Sequence, residues 1–179
     1  MISKFYEIGK YKGKINYYLF YGENDGQKLD TIETNFNNFT KENTYKYSEK
    51  EVLANTQIFF ENLYTKSFFE KEKLIIISEI TDKILGLIKE VMESKTQDVF
   101  IILLAKKLDK KSKLRNFFEK EKNLISVAFY SDNNQTLSTI TKAFFLENKI
   151  SISQESINLI INRANGERGN LLNNLEKIK

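Results

Sequence analysis

The chain has 179 residues, 41% hydrophobic and 29% charged, with 28 Lys and Arg against 24 Asp and Glu, an ordinary soluble composition with a formal charge of +4. It contains no Cys, His, Trp or Pro, which excludes disulfides, a thiolate nucleophile, Cys-ligated zinc and imidazole acid–base chemistry. Apolar runs such as Leu74–Ile77 fall far short of the roughly 20 residues that cross a bilayer, and Met1–Lys14 has no signal-peptide stretch, so a cytoplasmic location with no membrane partner is expected.

In chain order, the first β-type run is Tyr17–Tyr21. It enters the turn Gly22-Glu23-Asn24-Asp25-Gly26-Gln27-Lys28, after which Leu29, Ile32, Phe36 and Phe39 recur at helical steps. A second strand follows at Thr44–Tyr47, then a stripe of Val52, Leu53, Phe59, Phe60, Leu63 and Tyr64. The third strand, Leu74–Ser78, precedes a helix marked by Leu85, Ile88 and Met92. The fourth, Val99–Leu104, precedes one marked by Leu114, Phe117 and Phe118, and the fifth is Ile125–Tyr130. Three of these strands are nearly continuous in apolar residues, as strands covered on both faces are. Alternating strand and helix predict a three-layer α/β domain over residues 1–132 with a five-stranded, mainly parallel sheet.

Beyond the polar linker Ser131–Gln135 only helical periodicity remains, predicting a three-helix lid domain over residues 136–179. Leu137, Ile140 and Phe144 mark its first helix. The second starts at Ser153 as N-cap, with Ile152 and Ile157 as a hydrophobic staple, carries Ile157, Ile160, Ile161 and Ala164, and ends at Asn165-Gly166. The third carries Leu171, Leu175 and Ile178.

An α/β domain followed by a helical lid resembles the plan of the AAA+ nucleotide-binding proteins, in which the first strand runs into a phosphate loop, Gly-x-x-x-x-Gly-Lys-Ser/Thr. Counted from Gly22, Gln27 replaces the second glycine and Leu29 the magnesium-binding hydroxyl. Gly26 is out of register, Lys28 alone falls in place, and Glu23 and Asp25 set negative charge where phosphate would lie. The third strand lacks a terminal Asp, reading Ser78-Glu79 instead. The pattern predicts no bound cofactor, no metal site and no catalytic residue. By itself it suits an AAA+ member that has lost its chemistry and an α/β domain that never bound nucleotide equally well.

Several segments, in order, resemble the delta subunit of the bacterial DNA polymerase III clamp loader. They are Tyr21-Gly22-Glu23-Asn24-Asp25, the stretch Ser67–Ile77, the run Lys107-Leu108-Asp109-Lys110-Lys111-Ser112-Lys113-Leu114, and the closing Gly169-Asn170-Leu171 with Asn174–Ile178. The resemblance implies a subunit of the replicative polymerase holoenzyme that opens the β sliding clamp with an apolar wedge and leaves ATP hydrolysis to its gamma or tau neighbours. By position the wedge is Phe68-Phe69, preceded by Ser67. This sequence departs from the family in having Phe where Leu is common at the first wedge position. The resemblance also implies contact with gamma/tau and delta prime through a C-terminal collar domain absent from this chain.

Two adjacent aromatics among Lys66, Ser67, Glu70, Lys71, Glu72 and Lys73 suit an exposed binding element, since helix neighbours point about 100° apart and do not share one stripe. The alternative is that one or both cap the core. Lys106, Lys107, Lys110, Lys111, Lys113 and Arg115 form a basic cluster, for which a weak DNA contact through Lys110, Lys111 and Lys113 is expected. The competing functional classes are a basic nucleic-acid-binding module, a non-catalytic AAA+-like adaptor for another protein, and an NTPase with an unorthodox loop.

Overall fold

The computed structural model describes residues 1–65, 72–94 and 98–178. The chain divides into two compact units, one of Met1–Tyr21 with Thr31–Ala128, the other of Gly22–Asp30 with Phe129–Lys179.

The sheet has six strands: β1 Ile2–Ser3, β2 Tyr17–Gly22, β3 Thr44–Ser48, β4 Lys73–Ser78, β5 Val99–Ala105 and β6 Leu124–Phe129, in the order β1-β6-β2-β5-β4-β3. The five expected strands are present within a residue of their expected ends. The sixth, β1, pairs in parallel with β6 through Ile2 and Ser3; two residues are too few for an alternation to register. The ladders β2–β5, β5–β4 and β4–β3 are also parallel.

Register explains the layers of the first unit. Tyr17, Ile101, Ile75 and Tyr45 form one cross-sheet row, and Leu19, Leu103, Ile77 and Tyr47 the next on that face. Helices α2 (Glu49–Ala54), α3 (Thr56–Tyr64), α4 (Leu85–Glu93) and α5 (Lys113–Lys120) pack there through Val52, Phe59, Leu63, Leu87, Ile88, Val91, Leu114 and Phe118. Burial of such side chains contributes about 1.5–3 kcal/mol each. On the opposite face, Phe36 just beyond α1 (Asp25–Asn35) meets the Tyr18 ring at 5.2 Å, and Phe39 meets Phe100 at 5.3 Å.

The stripes needed correction at particular positions. The run from Val52 to Tyr64 is two helices, broken at Asn55, whose φ of −133° and ψ of 55° are not helical. Leu53 and Tyr64 are exposed, as are Leu29 of α1 and Ile178. A capping box starts α2: the Ser48 hydroxyl accepts from Glu51 N at 3.3 Å, and Ser48 N donates to the Glu51 carboxylate at 2.6 Å.

In the second unit, α6 (Asn134–Glu147), α7 (Gln154–Ala164) and α8 (Arg168–Glu176) enclose Leu137, Phe145, Ile157, Ile161, Ala164, Leu171 and Leu175. Ser153 caps α7 as expected, accepting from Ser156 N at 3.2 Å, and Asn165 ends it in the left-handed region at φ 50°.

Candidate functional site

The turn after β2 is where a phosphate cradle would be, so its backbone donors need accounting one by one. Glu23 N and Asn24 N both donate to the Phe129 carbonyl, at 3.1 and 3.4 Å. Asp25 N donates to Glu23 O, Gln27 N to the Asn24 side-chain oxygen at 3.0 Å, and Lys28 N to Asn24 O. Lys28, buried, turns its ammonium back onto Gly22 O at 2.6 Å and Asp25 at 2.8 Å. Gly26 abuts Gly169: a Cβ on it would stand 2.5 Å from Gly169 N. Gly22 has φ 127°, and a Cβ there would collide with the Phe129 carbonyl, so the turn depends on glycine at this position. The amides of Glu23, Asn24, Asp25, Gln27 and Lys28 and the Lys28 ammonium are thus spent within the chain, and the residue at the hydroxyl position, Leu29, is exposed. These residues do not fit a nucleotide or its magnesium. Among the described residues no group of three or more Asp, Glu, His or Cys is placed to hold a metal.

Beside the turn lies a polar knot. Arg168, the first residue of α8, donates from Nε to Asp132 at 2.9 Å and from a terminal nitrogen to the other Asp132 oxygen at 2.8 Å. The Asn24 amide donates to the same carboxylate at 2.8 Å and to Tyr130 O at 3.1 Å. Arg168 thus points inward to a carboxylate. Asp132 reads in sequence as one residue of a polar linker, and no local signal sets it apart from its neighbours.

In the first unit, a cleft of about 660 Å³ is lined by Glu79–Asp82 following β4 and by Lys106–Asp109, Lys111 and Ser112 following β5. Its lining thus carries both signs of charge, Lys106, Lys107 and Lys111 with Glu79, Asp82 and Asp109. Asp82 is committed to the start of α5: its carboxylate accepts from the Ser112 hydroxyl at 2.6 Å, Lys113 N at 2.9 Å and Leu114 N at 3.0 Å. Partial desolvation of the carboxyl opposes ionisation of the largely exposed Asp82, but the bonds from Ser112, Leu114 and Lys113, with the Lys113 charge, outweigh it and hold the carboxyl below its ordinary value. Asp82 is a residue that sequence reading missed, since its partners lie 30 residues on.

Lys110, Lys111 and Lys113 are exposed, as are Lys106 and Lys107. Arg115 does not belong to that open cluster. It bonds Glu119 at 2.7 Å and Leu108 O at 3.0 Å, and lies over the Tyr21 ring at 4.8 Å. Of the run Lys107–Leu114, Ser112 and Leu114 are buried, as cap and core. Ser67, Phe68 and Phe69 lie outside the described residues.

A family model described as DNA polymerase III, delta subunit, matches residues 18–128. A search of curated proteins found no match. Among solved structures, the chain is similar to the Bacillus subtilis DNA clamp loader delta protein, with a TM-score of 0.62 at 17% identity over 97% of this chain and 56% of that one. It is similar to AMPPCP-bound DnaA from Aquifex aeolicus, with a TM-score of 0.61 at 17% identity over 97% of this chain and 59% of that one. The RuvB Holliday junction branch migration motor of Thermotoga maritima gives 0.59 at 15% identity over 95% and 56%. At such identities the likeness is one of fold, AAA+-like as expected. The chain spans little more than half the length of each.

Proposed function

The chain belongs to the DNA polymerase III delta subunit family, and from that premise we propose that it is a clamp-loader subunit that binds and opens the β sliding clamp without hydrolysing ATP itself. The wedge is Phe68-Phe69, preceded by Ser67. The observation that carries this reading is the match over residues 18–128, which spans that pair. The spent donors of the Gly22–Lys28 turn support a role without nucleotide chemistry. The remaining partners are gamma/tau and delta prime, and the setting is the replicative holoenzyme in the cytoplasm. Among the described residues no helix is long and apolar enough to cross a membrane. Exposure of Lys110, Lys111 and Lys113 favours a second, minor role, a weak electrostatic contact with DNA inside the loader.

The test is binding to the β clamp of the same organism by the wild type and by Phe68→Ala/Phe69→Ala. The double variant should lose at least about tenfold in affinity, about 1.4 kcal/mol, with its circular dichroism unchanged. Equal binding by both proteins would remove the wedge assignment. Titration with ATP and magnesium should give no heat of binding, and micromolar affinity would overturn the reading of the turn.

A further inference from the structure

A buried arginine keeps its charge at any working pH and needs an anion beside it. Arg168 is 9% exposed, and the anion is the chain's own Asp132, whose side chain is 6% exposed. The pairing is a fork, two parallel bonds at 2.8 and 2.9 Å, the geometry with which guanidinium recognises any oxyanion. The Asn24 amide adds a third donor at 2.8 Å. That amide is held in place: its other bond goes to Tyr130 O, and its oxygen accepts from Gln27 N. The donors therefore converge on one point from α8 and from the β2–α1 turn, with their orientations fixed.

We propose that Arg168 and Asn24 form a latent oxyanion site that Asp132 permanently fills, so that the second unit carries a built-in anion at the turn where a nucleotide-binding protein of this fold would hold phosphate. The site suits a single carboxylate rather than a polyphosphate. The Asp30 carboxylate stands 3.8 Å from Arg168, and a multiply charged ligand would meet that like charge. The ligand class that should replace the Asp132 side chain is thus a small monocarboxylate.

The experiment is rescue of Asp132→Ala by formate, read as melting temperature at fixed ionic strength, with sodium chloride as the matched salt. The variant leaves the buried Arg168 with only the more distant, half-exposed Asp30 carboxylate 3.8 Å away and should melt about 5 °C below the wild type. Formate should restore at least half of that loss while leaving the wild type unmoved. Asp132→Ala/Arg168→Met removes both charges, should melt above the single variant, and should not respond to formate. If the single variant fails to fold in chloride, its refolding yield with and without formate is the readout. The proposal is overturned if Asp132→Ala loses no stability, if formate acts equally on wild type and variant, or if the variant refolds no better in formate.

Discussion

Replacing Asp82 by Ala tests how the start of α5 is held. The carboxylate takes three donors, Ser112 Oγ at 2.6 Å, Lys113 N at 2.9 Å and Leu114 N at 3.0 Å, two of them backbone amides that a helix cannot satisfy internally. Loss of a capping side chain costs about 0.5–2 kcal/mol. Two features bound the loss here. Asp82 is exposed, so its charge is screened, and the Ser112 hydroxyl still accepts from Arg115 N at 3.1 Å, so one cap bond survives. The expected loss is about 1.5 kcal/mol. With a urea m-value of about 2 kcal/mol/M, the unfolding midpoint should fall by about 0.75 M with the slope unchanged. The pH dependence has a definite sign. Because the folded-state value lies below the ordinary 3.8, the stabilisation is complete above that value and is lost as pH falls through the depressed one. Urea curves followed by circular dichroism from pH 7 down to pH 3 should therefore show the gap between wild type and variant narrowing below about pH 4. No midpoint shift at pH 7, or a gap as wide at pH 3 as at pH 7, would refute this account.

Two glycines should respond with opposite sign. Gly26→Ala sets a methyl 2.5 Å from Gly169 N and should cost about 1–3 kcal/mol, whereas Gly86→Ala in α4 meets nothing within 4 Å and should gain about 0.5–1 kcal/mol; equal thermal shifts would contradict the packing. Burial pushes the Tyr18 hydroxyl up to about 12, and it donates to Ile15 O at 2.9 Å. Its contribution is complete below its ordinary value of 10 and is lost as pH rises through the folded value. The stability of Tyr18→Phe relative to wild type should thus stay level up to about pH 10 and rise from there towards pH 12, and a mutational effect independent of pH across that rise would speak against it. Changing Lys110, Lys111 and Lys113 to Gln should weaken DNA binding and flatten its log–log salt slope by about 0.7–0.9 for each phosphate that is no longer neutralised; an unchanged slope would show that these lysines meet no phosphate.

The basic cluster shows how far side-chain identity carries. Six cationic residues lie close together in sequence, yet Arg115 is drawn onto Glu119, Leu108 O and the Tyr21 ring, leaving the exposed lysines as the open charge. In the run that carries the family resemblance, Ser112 and Leu114 hold the first unit together at the start of α5, where Asp82 and the sheet fix them.

The order of the five longer strands, the N-cap at Ser153, the left-handed stop at Asn165 and the loss of the phosphate-loop pattern were all determined by the sequence. Each rests on neighbours within a turn or two of chain, where periodicity and capping chemistry act. Tertiary structure alone decided which groups are paired. Asn24 and Asp132 are 108 residues apart, Arg168 and Asp132 are 36 apart, and Asp82 and Ser112 are 30 apart. A polar residue's partner depends on where the returning chain places the next donor, and no local pattern records that position. The two-residue strand β1 was invisible for the related reason that only pairing with β6 makes it a strand.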